Sequence, residues 1–174
     1  YSGWDFWQYA PVGRINIYPP FYHLLLAFFM KFGMGAILLA RLSETFIPVL
    51  FLLSLWRVIR RNFSGRLGCF ALIAVSASGS FYLSLINYIP ATLAMILGLF
   101  ALDNMFKGKA SRGILLLSLS FYTHIGVSWL FILSILIYGI LNKDYRQICF
   151  RVFSISVFLS LPILLWQYSA IKYI

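Results

Sequence analysis

Asp5 stands in the run Tyr1-Ser2-Gly3-Trp4-Asp5-Phe6-Trp7-Gln8-Tyr9, a single carboxylate among aromatic rings. Rings that partly exclude water raise a carboxyl pKa and suit the group to general-base work. The plain alternative is an acid that caps a turn. His23, Ala27 and Lys31 follow one another at four-residue steps, a narrow polar stripe on an apolar segment. His124 lies in Thr123-His124-Ile125-Gly126 between two apolar stretches, and polar turns at membrane depth line cavities. Arg41 and Glu44, three apart, either offer charge to a ligand or neutralise each other on one helix face. Asp103 and Lys107, four apart, read as a structural pair. Cys69 and Cys149 lie 80 residues apart in apolar surroundings and form no metal or redox motif. Two histidines about 100 residues apart make no metal site.

The elements that must position these groups are membrane helices. Of 174 residues, 62% are hydrophobic and 10% charged, with a mean hydropathy of +0.91, where a soluble domain carries roughly 45–50% and about 25%. That composition excludes a water-soluble globule, a disordered chain and a disulfide-stapled secreted domain. It predicts an all-α, polytopic transmembrane helical bundle, each span satisfying its own backbone hydrogen bonds. The net charge of +10 would suggest nucleic acid in a soluble protein. Ten of the fourteen basic residues, however, fall in three clusters between apolar stretches: Arg57/Arg60/Arg61/Arg66, Lys107/Lys109/Arg112 and Lys143/Arg146/Arg151. The positive-inside rule accounts for them, and no nucleic-acid partner is expected.

With those clusters on the cytoplasmic side, six crossings follow, at 36–58, 67–84, 89–106, 113–122, 125–141 and 148–166. Residues 1–19 form an outer loop. Residues 20–32 form a juxtamembrane helix at the outer interface, opened by Pro19-Pro20 and closed by Gly33 and Gly35. As a seventh crossing this segment would reverse the first cluster relative to the others. One membrane domain covers 1–174, and the chain reads as a piece of a longer membrane protein. Sorting by side then collects the polar groups on the outer face: Asp5, Arg14, Asn16, Tyr18, His23, Lys31, Arg41, Glu44, Asn87, Tyr88, Thr123, His124, Gln167 and Lys172.

The run Ala10-Pro11-Val12-Gly13-Arg14 to Tyr18-Pro19-Pro20-Phe21-Tyr22-His23 resembles the first outer loop of GT-C glycosyltransferases. Ala40-Arg41-Leu42 is similar to the element that opens that family's next span. Pro90-Ala91-Thr92-Leu93-Ala94 resembles a later helix start, and Thr123-His124 a later outer turn. Ala91 stands where the family carries an acid. The resemblance implies a polytopic enzyme that moves a sugar from a polyprenyl-phosphate donor to a lipid, glycan or protein acceptor on the extracytoplasmic side. It implies Asp5 as general base or metal-proximal acid, unless the essential acid lies upstream of Tyr1. Arg14, Lys31 and Arg41 are then the cations for the donor phosphate, and Tyr18, His23 and His124 line the site. Some proteins of this fold use a divalent cation; no ligand cluster here demands one, and no metal ligand is assigned. A prokaryotic plasma membrane is expected rather than the endoplasmic reticulum. The rival class is a membrane transporter or a non-catalytic assembly protein. A transporter should carry polar groups near the midplane on broken helices, and the midspans here are almost wholly apolar.

Overall fold

Proline decides where the chain first enters a helix. Pro19-Pro20 lack backbone donors, which costs nothing where the first N–H groups have no helical partner, and α1 (Phe21–Lys31) begins directly after them. It ends at Gly33, whose φ of +86° is a left-handed conformation that glycine adopts without strain. A computed structural model describes residues 4–5, 14–15 and 19–171. Ahead of α1, β1 (Trp4–Asp5) and β2 (Arg14–Ile15) form a short antiparallel ladder. The rest is helical: α2 (Ala36–Asn62), α3 (Gly65–Ala77), α4 (Gly79–Asn87), α5 (Ile89–Phe106), α6 (Ala110–Phe121), α7 (Ile125–Leu141) and α8 (Arg146–Ile171). A 3-10 turn at Lys143–Tyr145 joins α7 to α8.

The predicted span over 67–84 is divided. It folds as α3 and α4, bent by 81° across Ser78. Ser76-Ala77-Ser78-Gly79-Ser80 explains the break, because serine hydroxyls compete for backbone groups and glycine costs about 1 kcal/mol inside a helix. Three helices are long and apolar enough to cross a membrane, Ala36–Asn62, Ile89–Phe106 and Lys143–Ser169, or up to four if the bent pair counts as one span. With 12 and 17 residues, α6 and α7 fall short of the ~20 that a full crossing takes.

Burial identifies the solvent. Half of the apolar window of α5 is buried, against 17% for α2, which exposes Phe46, Val49, Leu50 and Leu53. Apolar patches of that extent do not persist on a soluble monomer. Hydroxyls along the helices turn back onto their own backbone, Ser43 to Leu39, Thr45 to Arg41, Ser134 to Leu130 and Ser160 to Ser156. Such bonds satisfy polar groups that have no water to meet. The chain is an integral membrane protein.

The main core lies among α5, α6, α7 and α8, around Met105, Leu117, Phe121, Ile132, Ile135 and Val152. A smaller cluster of Phe51, Leu85 and Ile96 joins α2 and α4 to α5. Contacts fix the directions. A Cβ on Gly113 would lie 3.3 Å from the Ala101 carbonyl, while Ser120 donates to the Ala94 carbonyl at 3.1 Å, so α6 runs against α5. Ser156 Oγ reaches the Ile114 carbonyl and Tyr122 the Leu159 carbonyl, so α8 runs with α6. Gly98 abuts Phe131 and Phe106 meets Tyr138, so α7 runs with α5. Phe63 and Phe106 stack edge-on, and Asn62 donates to Asp103, which aligns α2 with α5. The three basic clusters therefore share one end of the bundle, knitted by Phe63, Phe106, Tyr138 and Tyr145.

Asp103 is 6% exposed and accepts from Asn62 Nδ2 at 2.9 Å and from Lys107. The pairing of Asp103 with Lys107 is the ion pair among the described residues. Asp103→Ala removes the acceptor that ties α2 to α5 and leaves the Asn62 amide short of a partner. The expected cost is about 1–2 kcal/mol, discounted because Lys107 can turn to water. Thermal unfolding in detergent checks it; an unchanged midpoint would mean the tie carries no stability.

Candidate functional site

At the end opposite the basic clusters, three connections meet. α1 enters beside the α6–α7 turn, because the Phe21 N–H donates to the Tyr122 carbonyl at 2.9 Å. α5 starts at Ile89 with Pro90 in its first turn, which puts Asn87 and Tyr88 at the same level. Between them lies a cavity of about 390 Å³, lined by Pro19, His23, Asn87, Tyr88, Thr123 and His124 together with Pro90 and Ala91. That volume is within the usual range for small-molecule sites, roughly 300–1,000 Å³.

The turn that carries His124 is built by hydrogen bonds on both sides. The N–H groups of Thr123 and His124 both donate to the Ser120 carbonyl, at 3.0 and 2.8 Å. His124 is extended (φ −160°, ψ 106°) and caps α7, its Nδ1 accepting from the Val127 N–H at 3.2 Å. Behind it, the buried hydroxyls of Ser120 and Ser128 lie 2.7 Å apart, and Ser128 also donates to the His124 carbonyl. Thr123, fully buried, donates to the Leu119 carbonyl at 2.7 Å. Thr92, one residue past Ala91, donates to the Leu85 carbonyl and holds the α4–α5 corner.

Partial burial pushes the imidazoles of His23 and His124 below the ordinary 6.5; at His124 it outweighs a backbone hydrogen bond acting the other way. Burial thus favours the neutral form of both rings. With Nδ1 of His124 occupied as an acceptor, the proton sits on Nε2, which is the donor this ring can offer to a ligand oxygen. Protonating Nδ1 removes the cap. Because the folded pKa is lowered, the stabilisation is fully present above about pH 6.5 and is lost as pH falls below it. Wild type is therefore expected to melt lower at pH 5.5 than at pH 7.5. His124→Asn, which keeps a capping oxygen without a titrating ring, is expected to lose part of that difference, up to the ~1 kcal/mol of a cap. Identical pH slopes in thermal unfolding would exclude the cap as their source.

Of the residues singled out in the sequence, His23, Asn87, Tyr88, Thr123 and His124 share this cavity. Asp5 and Arg14 stand opposite one another in the β1–β2 ladder; their side chains, and Tyr18, lie outside the described residues. Lys31 ends α1, where a cation complements the helix dipole, and does not line the cavity. Arg41 and Glu44 are both exposed on α2 and away from the cavity lining. Their mutual neutralisation is not formed, since an exposed pair gains little by closing. Among the described residues no group of three or more His, Cys, Asp or Glu is placed to hold a metal ion. The sequence reading overlooked Ser120 and Ser128. Their signal was the spacing, one hydroxyl four residues before His124 and one four residues after. Comparison with protein-family models, with curated proteins and with solved structures found no match.

Proposed function

We propose that the chain is the membrane part of a GT-C-type glycosyltransferase, moving one sugar from a polyprenyl-phosphate donor to a lipid, glycan or protein acceptor. The observation that carries the reading is the convergence of His23, Asn87, Tyr88, Thr123 and His124 at one cavity, at the end of the bundle away from the basic turns. These residues come from the turns in which the sequence resembles that family. In this reading the basic end is cytoplasmic, the cavity faces outward, and the chain passes back and forth six times, α6 and α7 making short passages. A prokaryotic plasma membrane suits the reading.

Polyprenyl phosphate is a good leaving group, so the enzyme's work is to deprotonate the acceptor and to hold the departing phosphate. Asp5 takes the first task. Arg14 supplies charge for the second, Lys31 and Arg41 lying away from the cavity lining, with Tyr18, His23 and the Nε2–H of His124 orienting sugar or phosphate oxygens. A divalent cation, if the enzyme takes one, would sit near Asp5. The break between α3 and α4 favours a rival, a transporter built on a discontinuous helix. A panel of labelled polyprenyl-phosphate sugars, presented to the full-length protein in nanodiscs, tests the proposal. Transfer from one donor is the expected result. No transfer from any donor, with substrate flux in proteoliposomes, would replace it with the transporter.

A further inference from the structure

The basic end carries a second concavity. Where α2 ends and α3 begins, the two helices approach closely at Gly68, where a Cβ would lie 3.3 Å from the Trp56 ring and 3.4 Å from the Trp56 carbonyl. Beside this contact opens a cavity of about 410 Å³, its walls formed by Trp56, Arg60, Arg66, Cys69, Phe70 and Ile73. The Arg60 guanidinium lies over the Trp56 ring, 4.8 Å from its centroid, a contact that pre-sets the side chain's position. Arg57, Arg60, Arg61 and Arg66 crowd this corner, and none forms an ion pair among the described residues. Phe70 and Ile73 are 69% and 64% exposed and continue the cavity along α3 onto the apolar surface.

Two arginines on the wall and an apolar gutter leading from them match one kind of molecule. We propose that this corner is a binding site for an anionic glycerophospholipid, with its phosphodiester between Arg60 and Arg66 and an acyl chain along Phe70 and Ile73. Guanidinium groups bind phosphate oxygens through charge-assisted, often bidentate hydrogen bonds. Basic pockets between membrane helices are where acidic headgroups dock. A soluble phosphate meets only half of the site, because the gutter then stays uncovered. The proposal is independent of glycosyl transfer and stands or falls without it.

Cys69 supplies the reporter. It is exposed on the cavity wall, whereas Cys149, the other cysteine, is 1% exposed. A neutral maleimide in detergent should therefore label Cys69 first. Adding phosphatidylglycerol is expected to slow that labelling several-fold, with phosphatidylcholine or soluble inorganic phosphate having little effect. Arg60→Gln/Arg66→Gln should abolish the protection. Arg57→Gln/Arg61→Gln, which removes the same charge outside the cavity wall, should retain it. Arg60→Lys/Arg66→Lys, gentler on folding, should weaken protection while keeping the charge. Equal protection by phosphatidylcholine, protection by phosphate alone, or persistence of protection in the folded Arg60→Gln/Arg66→Gln protein would overturn the site.

Discussion

Gly139→Ala is expected to destabilise the protein by about 3 kcal/mol, the upper end of the cost of overpacking a filled core. A Cβ at Gly139 would lie 2.6 Å from the Cβ of Cys149, 3.4 Å from its Sγ and 3.9 Å from the Cα of Arg146. No rotamer change relieves such a clash, since a Cβ is fixed by its backbone. α7 and α8 must separate instead. They are held there by the three-residue turn at Lys143–Tyr145 and by the packing of Cys149 against Met105, whose sulfurs are 3.6 Å apart. Gly98 shows the contrast. A Cβ there would overlap the Phe131 ring at 2.3 Å, but a half-buried ring can swing aside. Thermal and denaturant unfolding in detergent measure the cost. Cys149→Gly in the Gly139→Ala background removes the opposing carbon and should return part of the loss, less the ~1 kcal/mol of a helical glycine. If Gly139→Ala melts like wild type, the two helices are not in contact at that point.

Asp5→Asn in the full-length protein is expected to lower sugar transfer by about 10²–10⁴-fold, the usual contribution of a positioned general base. Asparagine keeps the shape of the side chain and cannot take the acceptor's proton. The effect should fall on kcat more than on KM for the donor, because donor binding is assigned to Arg14 and not to the Asp5 carboxylate. Arg14→Gln is the complementary probe. Arg14 stands opposite Asp5 in the ladder, and as a phosphate cation its loss should appear mainly in KM for the donor. If Asp5→Asn transfers at the wild-type rate, the base is another carboxylate, and the aromatic loop around Asp5 is only an interfacial belt.

Much of the fold was legible because its punctuation is strong. Pro90 and the Thr123-His124 turn mark helix starts that no apolar average can blur, and α5 and α7 fall on 89–106 and 125–141. Boundaries set by charge were read too short. α2 continues past Val58 to Asn62, because arginine is a good helix former and the interface tolerates it. The α3–α4 bend was not legible, since a hydropathy average over 67–84 hides a short run of small residues. The cavity was half legible. Sidedness placed His23 and His124 on one face of the membrane. Their meeting depends on the bond from the Phe21 N–H to the Tyr122 carbonyl, and a backbone contact between distant segments leaves no trace in side-chain pattern.

The tie between Asn62 and Asp103 has a mechanical consequence. It is the one side-chain hydrogen bond from α2 to another helix among the described residues, and it sits at the last residue of α2. Toward the middle of the helix the buried cluster of Phe51, Leu85 and Ile96 adds a second attachment, to α4 and α5. A 27-residue helix is about 40 Å long, and these two attachments occupy the half that ends at Asn62, away from the far tip. The apolar cleft between α1 and α2, bounded by Tyr22, Leu26, Leu39 and Phe46, lies toward that tip. That cleft is therefore walled on its α2 side by the half of the helix that neither attachment holds.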